Sequence, residues 1–131
     1  MPLTRIDLRR GKSVEYRRTI MDQVYAALRE TFDVPDEDRF MVVTEHDTDN
    51  FSYSRRYLGI NRSDDFVLIQ LTVSNTRTLA QKQALYRSIT QRLATAPGIR
   101  SEDVFINLVE VVKENWSFGN GEAQYAATAA E

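Results

Sequence analysis

The residue whose chemistry stands out in this chain is a proline in second position, Pro2. A small second residue favours trimming of the initiator methionine, and Pro2 would then present a rigid secondary amine. An α-amino group titrates near ~8. An apolar pocket and a nearby cation disfavour its ammonium form and bring it into the range of a general base. Few side chains compete for that role. The chain has no Cys and a single His, His46. Thiol nucleophiles, thiolate metal sites and disulfide frameworks are therefore excluded, and multi-His metal centres lack their ligands. A Ser-His-Asp triad is left little room. The run His46-Asp47-Thr48-Asp49-Asn50 resembles a ligand cluster, but no second His or patterned calcium loop follows it. His46 is read as a structural residue near a strand end, with a subunit interface as its other expected setting.

The charge balance excludes further classes. Lys plus Arg is 17 and Asp plus Glu is 19, a formal net charge of −2. Such a balance creates no long-range field for nucleic acid or an acidic membrane. The pairs Arg9-Arg10 and Arg55-Arg56 are not continued by a basic stripe, so they read as solvated or intersubunit pairs. Gly119-Asn120-Gly121 lacks the strand-to-helix setting of a phosphate loop. The N-terminal stretch has no apolar core of a signal peptide, and apolar runs such as Phe40–Val43 are far too short to span a membrane. A cytoplasmic location is the expectation.

The elements that must position Pro2 come in two similar sets. With 131 residues, 42% of them hydrophobic, the chain is one globular domain over residues 1–131. Pro2–Leu8 reads as a strand, with Ser13 as N-cap of a helix. Val14, Ile20, Met21, Val24, Ala27, Leu28 and Phe32 follow at helical spacing. A turn at Val34–Asp38 leads to a strand over Arg39–Glu45. Phe66–Val73 is again a strand, Thr78 an N-cap, and Leu79, Leu85, Tyr86, Ile89 and Leu93 a helical stripe. The last strand is Val104–Val112.

The two sets superimpose without gaps at a spacing of 65 residues. Val14 falls on Leu79, Val24 on Ile89, Glu37-Asp38 on Glu102-Asp103, Phe40 on Phe105 and Glu45 on Glu110. The pattern is a duplicated β-α-β unit, over about 2–46 and 66–112. Each unit makes two parallel strands with a right-handed crossover. The predicted fold is α+β, a four-stranded mixed sheet with both helices on one face. Asp47–Asp65 between the units reads as a hairpin or functional loop. An aromatic segment at 115–125 follows the last strand, and the Ala-rich end after it is expected to fray. The bare face of the sheet predicts burial against other subunits.

With Pro2 heading a strand of a duplicated unit, the chain resembles the tautomerase superfamily. The closer resemblance is to its branch containing malonate semialdehyde decarboxylase. It rests on Pro2-Leu3, Phe32-Asp33-Val34-Pro35 with Asp38-Arg39, His46, Arg77 before Gln81-Lys82, Gly98-Ile99, Glu102-Asp103-Val104, Asn107–Glu110 and Asn115-Trp116-Ser117-Phe118-Gly119. The Trp-Ser-Phe-Gly segment is the most specific of these. The resemblance implies a homotrimer without cofactor or metal, acting on a small carboxylate. It makes Pro2 the catalytic base or acid, and Asp38 the carboxylate that orients substrate or assists a water. It makes Arg77 the clamp for the substrate carboxylate, a task suited to its planar fork. Trp116, Phe118 and Tyr125 would form the aromatic wall. Asp103, the repeat partner of Asp38, reads as an ordinary turn residue.

One departure steers the functional expectation. Where the decarboxylase has an Arg-x-Arg pair, this chain has Asn75 and then Arg77, and Tyr125 stands in place of Phe. A single arginine suits carboxylate binding while Pro2 shuttles a proton between carbon and oxygen. Asn75 can donate a hydrogen bond to a developing enolate oxygen. The expected activity is keto–enol tautomerisation of a small 2-oxo or enol acid such as phenylenolpyruvate. Decarboxylation or hydration of a small 3-oxo or unsaturated acid is the alternative. A noncatalytic trimeric scaffold is the reading if Pro2 is masked.

Overall fold

The computed structural model of the chain describes residues 2–126. The Ala-rich end expected to fray lies outside the described residues, as does Met1. Four strands and two long helices follow one another as β1 (Leu3–Arg9), α1 (Val14–Phe32), β2 (Phe40–His46), β3 (Val67–Ser74), α2 (Leu79–Thr95) and β4 (Val104–Val111). The sheet order is β2-β1-β3-β4. β1 pairs with β2 and β3 with β4 in parallel, and β1 and β3 meet antiparallel at the centre. This is the expected four-stranded mixed sheet of two β-α-β units.

The two units are built by the same local devices. Ser13 caps α1, its hydroxyl accepting from the Tyr16 N–H at 3.0 Å. Thr78, 65 residues later, caps α2 in a reciprocal box with Gln81, which satisfies two otherwise orphaned helix donors. Arg17 of α1 pairs with Glu45 of β2. At the equivalent positions Lys82 of α2 pairs with Glu110 of β4 at 2.7 Å. Alternation along the strands sends Ile6, Leu8, Ile69, Leu71 and Val73 toward the helices. There they meet Ile20, Val24, Leu28, Leu85, Ile89 and Leu93, all buried. At about 25 cal/mol per Å² of apolar surface removed from water, this layer is the main stabilising term.

Several details depart from the sequence reading. Three strands begin and end one residue later than expected. At β2 the cause is a turn in which the Arg39 N–H donates to the Glu37 carbonyl at 2.9 Å, so Arg39 is unavailable to the ladder. Val14 and Leu79 head the predicted helical stripes, yet they are 51% and 69% exposed. As the first residues of their helices they do not face the core.

The segment between the units is not a hairpin. It forms two single 3-10 turns, Thr48–Asn50 and Tyr57–Gly59. Phe51 and Tyr53 lie between them and cluster with Phe66. His46 ends β2, with its Nε2 2.6 Å from Asp7 Oδ1 and its ring stacked on Phe51. Among the described residues, no helix is long and apolar enough to cross a membrane.

Candidate active site

Pro2 is buried where the chain enters β1. The β1–β2 register sets Leu3 opposite Phe40. After β4, the turn Lys113–Asn115 leads into Trp116-Ser117-Phe118. This strap and the strand starts enclose a cavity of about 200 Å3 lined by Pro2, Leu3, Phe40, Trp116, Ser117 and Phe118. The Trp116 indole N–H donates to Ser74 Oγ at the end of β3, 3.2 Å away. The Trp116 and Phe118 rings stack at 5.5 Å, and Phe118 meets Tyr125 edge-on at 4.7 Å. Gln124 latches the strap: its side chain accepts from the Phe118 N–H at 3.0 Å and donates to the Gly119 carbonyl at 2.9 Å. Aromatic walls of this kind exclude water and strengthen electrostatic interactions inside.

Asp38 lies in the turn that leads into β2. Both of its carboxylate oxygens are buried, and neither has a hydrogen-bond partner. Burial pushes its carboxyl above the usual aspartate range, while the positive charge of Arg77 opposes the rise. Tyr125 is raised by burial, further by the Asp38 charge, and lowered by Arg77. The three groups therefore share one local field. An unsatisfied buried carboxylate is costly to the fold, which makes Asp38 a candidate functional group.

Arg77 precedes α2 by two residues, but its position is set by the end of α1. The last carbonyls of a helix lack intrahelical partners. Arg77 Nη2 donates to one of them, the Phe32 carbonyl, at 2.7 Å, and Nη1 donates to Thr76 Oγ1 at 3.0 Å. The guanidinium also lies over the Phe32 ring, 4.9 Å from its centre. Among the described residues, no carboxylate lies within ion-pair distance of it. Its charge is held in place and is not neutralised.

Most of the residues singled out from the sequence are thus gathered here. Pro2, Trp116 and Phe118 line the cavity; Asp38, Arg77 and Tyr125 are coupled through charge; the Phe118–Tyr125 contact links the two groups. Asn75 stands apart. It is exposed, and its backbone N–H donates to the Val111 carbonyl at 3.0 Å. Asp103 is a correction: it is fully buried, and its carboxylate accepts from the Ser63 N–H at 2.7 Å and hydroxyl at 2.6 Å. The sequence reading gave no role to Leu3, Phe40, Phe32 or Ser74. Strand register would have found the first two, but the Phe32 carbonyl and the Ser74 hydroxyl carry no sequence signal.

A duplicated β-α-β chain with a buried proline at the entry to its first strand has the fold of the tautomerase class. Comparison with known families agrees, and the chain belongs to the tautomerase family. Two family models described as tautomerase enzyme match it, one over residues 38–119 and one over residues 2–54. The probable tautomerase YusQ of Bacillus subtilis is 40% identical, covering 95% of this chain and 98% of the relative. A malonate semialdehyde decarboxylase solved after inhibition by 3-bromopropiolate is 41% identical. It superimposes with a TM-score of 0.88 over 94% of this chain and 93% of its own. A second malonate semialdehyde decarboxylase, studied for its decarboxylase and hydratase activities, is 32% identical. Its TM-score is also 0.88, over 94% and 95% of the two chains. The chain is accordingly an enzyme of the tautomerase and decarboxylase type, in the branch that resembles malonate semialdehyde decarboxylase.

Proposed function

We propose that the chain is a cofactor-free tautomerase in which the Pro2 amine, freed by removal of Met1, moves a proton on a small 2-oxo or enol acid such as phenylenolpyruvate. The observation that carries this reading is the unpartnered, buried Asp38 carboxylate in the field of the un-neutralised Arg77. Arg77 takes the substrate carboxylate on the N–H groups not spent on Phe32 and Thr76. The substrate's unsaturated arm enters the cavity against Trp116 and Phe118. The neutral Pro2 amine accepts the enol hydroxyl proton as the carbonyl forms, and the resulting ammonium delivers that proton to the enol carbon, which completes the ketone and returns the free amine. Asp38 positions the polar end of the substrate, and Asn75 donates to the enolate oxygen. The apolar lining disfavours the ammonium form of Pro2 and so favours the base.

Ultraviolet assays of phenylenolpyruvate ketonisation on the wild type and Pro2→Ala test the amine. A large loss in Pro2→Ala is the expected result, and unchanged activity rejects Pro2 as the base. Intact mass of the active protein reports whether Met1 is removed. Retained Met1 leaves Pro2 as a tertiary amide without basicity and rejects the mechanism.

The 41% identity to a malonate semialdehyde decarboxylase favours a second reading. In it a cationic Pro2 and a water near Asp38 decarboxylate or hydrate a small 3-oxo or unsaturated acid. Asn75→Arg restores the second cation and is expected to raise any decarboxylation. The assembly we propose is a homotrimer. It is supported by apolar residues on the sheet face away from the helices, among them Val42 and Val109, 42% and 38% exposed. Sedimentation equilibrium checks the mass of the assembly.

A further inference from the structure

The relation between the two units reaches beyond the strands and helices. The same 65-residue shift carries the strap Trp116-Ser117-Phe118 onto Phe51-Ser52-Tyr53, and carries Leu3 and Phe40 onto Leu68 and Phe105. Leu68 and Phe105 face each other across β3 and β4, as Leu3 and Phe40 do across β1 and β2. The second strap encloses a second cavity, of about 260 Å3, whose lining includes Phe51, Tyr53, Arg62, Phe66, Leu68 and Phe105. Tyr53 and Phe66 stack at 4.2 Å, and Phe66 meets Phe105 edge-on at 6.0 Å.

The reactive groups of the first cavity have no working counterpart here. Val67 holds the place of Pro2. Asp103 holds the place of Asp38, with Ser63 donating to both of its oxygens. Lys12 holds the place of Arg77 and is neutralised by Asp65 at 2.6 Å. What remains is an aromatic slot with one cation. Arg62 braces the surrounding loop through Nη1, which donates to the carbonyls of Ser54 at 3.3 Å, Tyr57 at 3.1 Å and Ile60 at 3.5 Å. Among the described residues, no carboxylate lies within ion-pair distance of Arg62. Its other N–H groups remain in the plane that binds a carboxylate in fork geometry.

We propose that this cavity is a second, noncatalytic binding site for a small aromatic monocarboxylate. The ring enters among Tyr53, Phe66, Leu68 and Phe105, and the carboxylate meets Arg62. Apolar walls with one placed charge are the usual make-up of a small-ligand pocket. The site binds without converting, because no base stands at Val67 and no free acid at Asp103. It does not depend on Pro2 chemistry.

The probe is 3-phenylpropanoate, which has no 2-oxo group to enolise, in equilibrium dialysis against the full chain in its native assembly. The wild type is expected to bind two equivalents per chain. Arg62→Gln and the cavity-filling Leu68→Trp are each expected to bind one. Arg77→Gln is expected to keep the equivalent at the second cavity, and there the emission of Trp116, the single tryptophan, stays unchanged on binding. The proposal is overturned by no equivalent on the wild type, or by a single equivalent that Leu68→Trp retains. It is equally overturned by two equivalents on Leu68→Trp, or by complete loss of binding in Arg77→Gln. A wild type that binds one equivalent while Leu68→Trp changes the oligomeric state assigns the cavity to a second copy of the chain, which also overturns it. Failure of Pro2 as the base leaves all of these counts unaffected, so the two readings fail separately.

Discussion

Asp38 and Asp103 stand 65 residues apart at the same place in the two units, each in the turn before an outer strand, and only Asp103 is paired. Ser63 donates to both oxygens of Asp103, whereas both oxygens of Asp38 are buried without a partner. A fold that has solved the problem of this carboxylate once leaves it unsolved in the other copy. Asp103 anchors the connecting loop, and the unpaired Asp38 is the one we propose meets the substrate.

Substitution is expected to separate the two roles. Asp103→Ala leaves the Ser63 donors without their acceptor and should lower stability by about 2–4 kcal/mol, since hydrogen bonds to charged groups are each worth about 1.5–3. Asp38→Asn removes no hydrogen bond. Its denaturation midpoint should be unchanged or raised, while kcat/KM falls by roughly 10²-fold, the cost of a misplaced substrate. Urea titration and steady-state kinetics on both variants check the pair.

Asp38 also implies a signed pH dependence of stability. Burial holds its folded carboxyl above the ordinary value of 3.8, so between the two values the folded state binds more protons than the unfolded chain. The stabilisation linked to Asp38 is complete below the ordinary value and is lost as pH rises through the raised one. Glu30, Asp64 and Glu102 are lowered, Glu30 by Arg92, Asp64 by Arg55 and Arg9, and Glu102 by its own backbone and Arg100. Their contributions run the opposite way, lost on acidification, but are common to wild type and Asp38→Asn. The stability of Asp38→Asn minus that of the wild type should therefore grow as pH rises above 3.8, as measured by urea unfolding at stepped pH.

Arg77 is expected to act on binding more than on turnover. Arg77→Lys keeps the charge but cannot hold the Phe32 carbonyl and a carboxylate in one planar fork, so KM should rise about tenfold with a smaller change in kcat. Arg77→Gln loses the charge as well and should raise KM by roughly 10–100-fold, which corresponds to 1.5–3 kcal/mol. Initial-rate kinetics across substrate concentration separate the two constants.

Ser74 fixes the aromatic wall from a distance of 42 residues in sequence. Ser74→Ala should cost about 1 kcal/mol of stability and loosen Trp116. Its emission should shift to the red as water reaches the indole, and KM should rise. An unshifted emission spectrum would show that stacking on Phe118 holds the ring without the hydrogen bond.

Much of the fold was readable because the repeat and the helical and strand periodicities are local properties. The caps at Ser13 and Thr78 and the crossover topology follow from short-range pattern. The loop between the units was not readable. Its aromatics Phe51 and Tyr53 are held by His46 and Phe66, partners that become neighbours only when the sheet assembles. The exposure of Val14 and Leu79 has a related origin, since apolar spacing marks a helix face without saying how far the sheet beneath it extends.

What the sequence by itself determined is the duplicated β-α-β architecture, the absence of thiol and multi-His chemistry, and the prominence of Pro2; its resemblance to the tautomerase superfamily added Asp38, Arg77, Trp116, Phe118 and Tyr125. The tertiary structure alone decided which aspartate is occupied and which is available. The two are the same residue type at equivalent positions, and the difference comes from Ser63, 40 residues before Asp103. It also decided that Arg77 is oriented by the end of α1. Hydrogen-bond satisfaction of a buried group depends on what the whole chain brings within about 3 Å, and no local pattern encodes that.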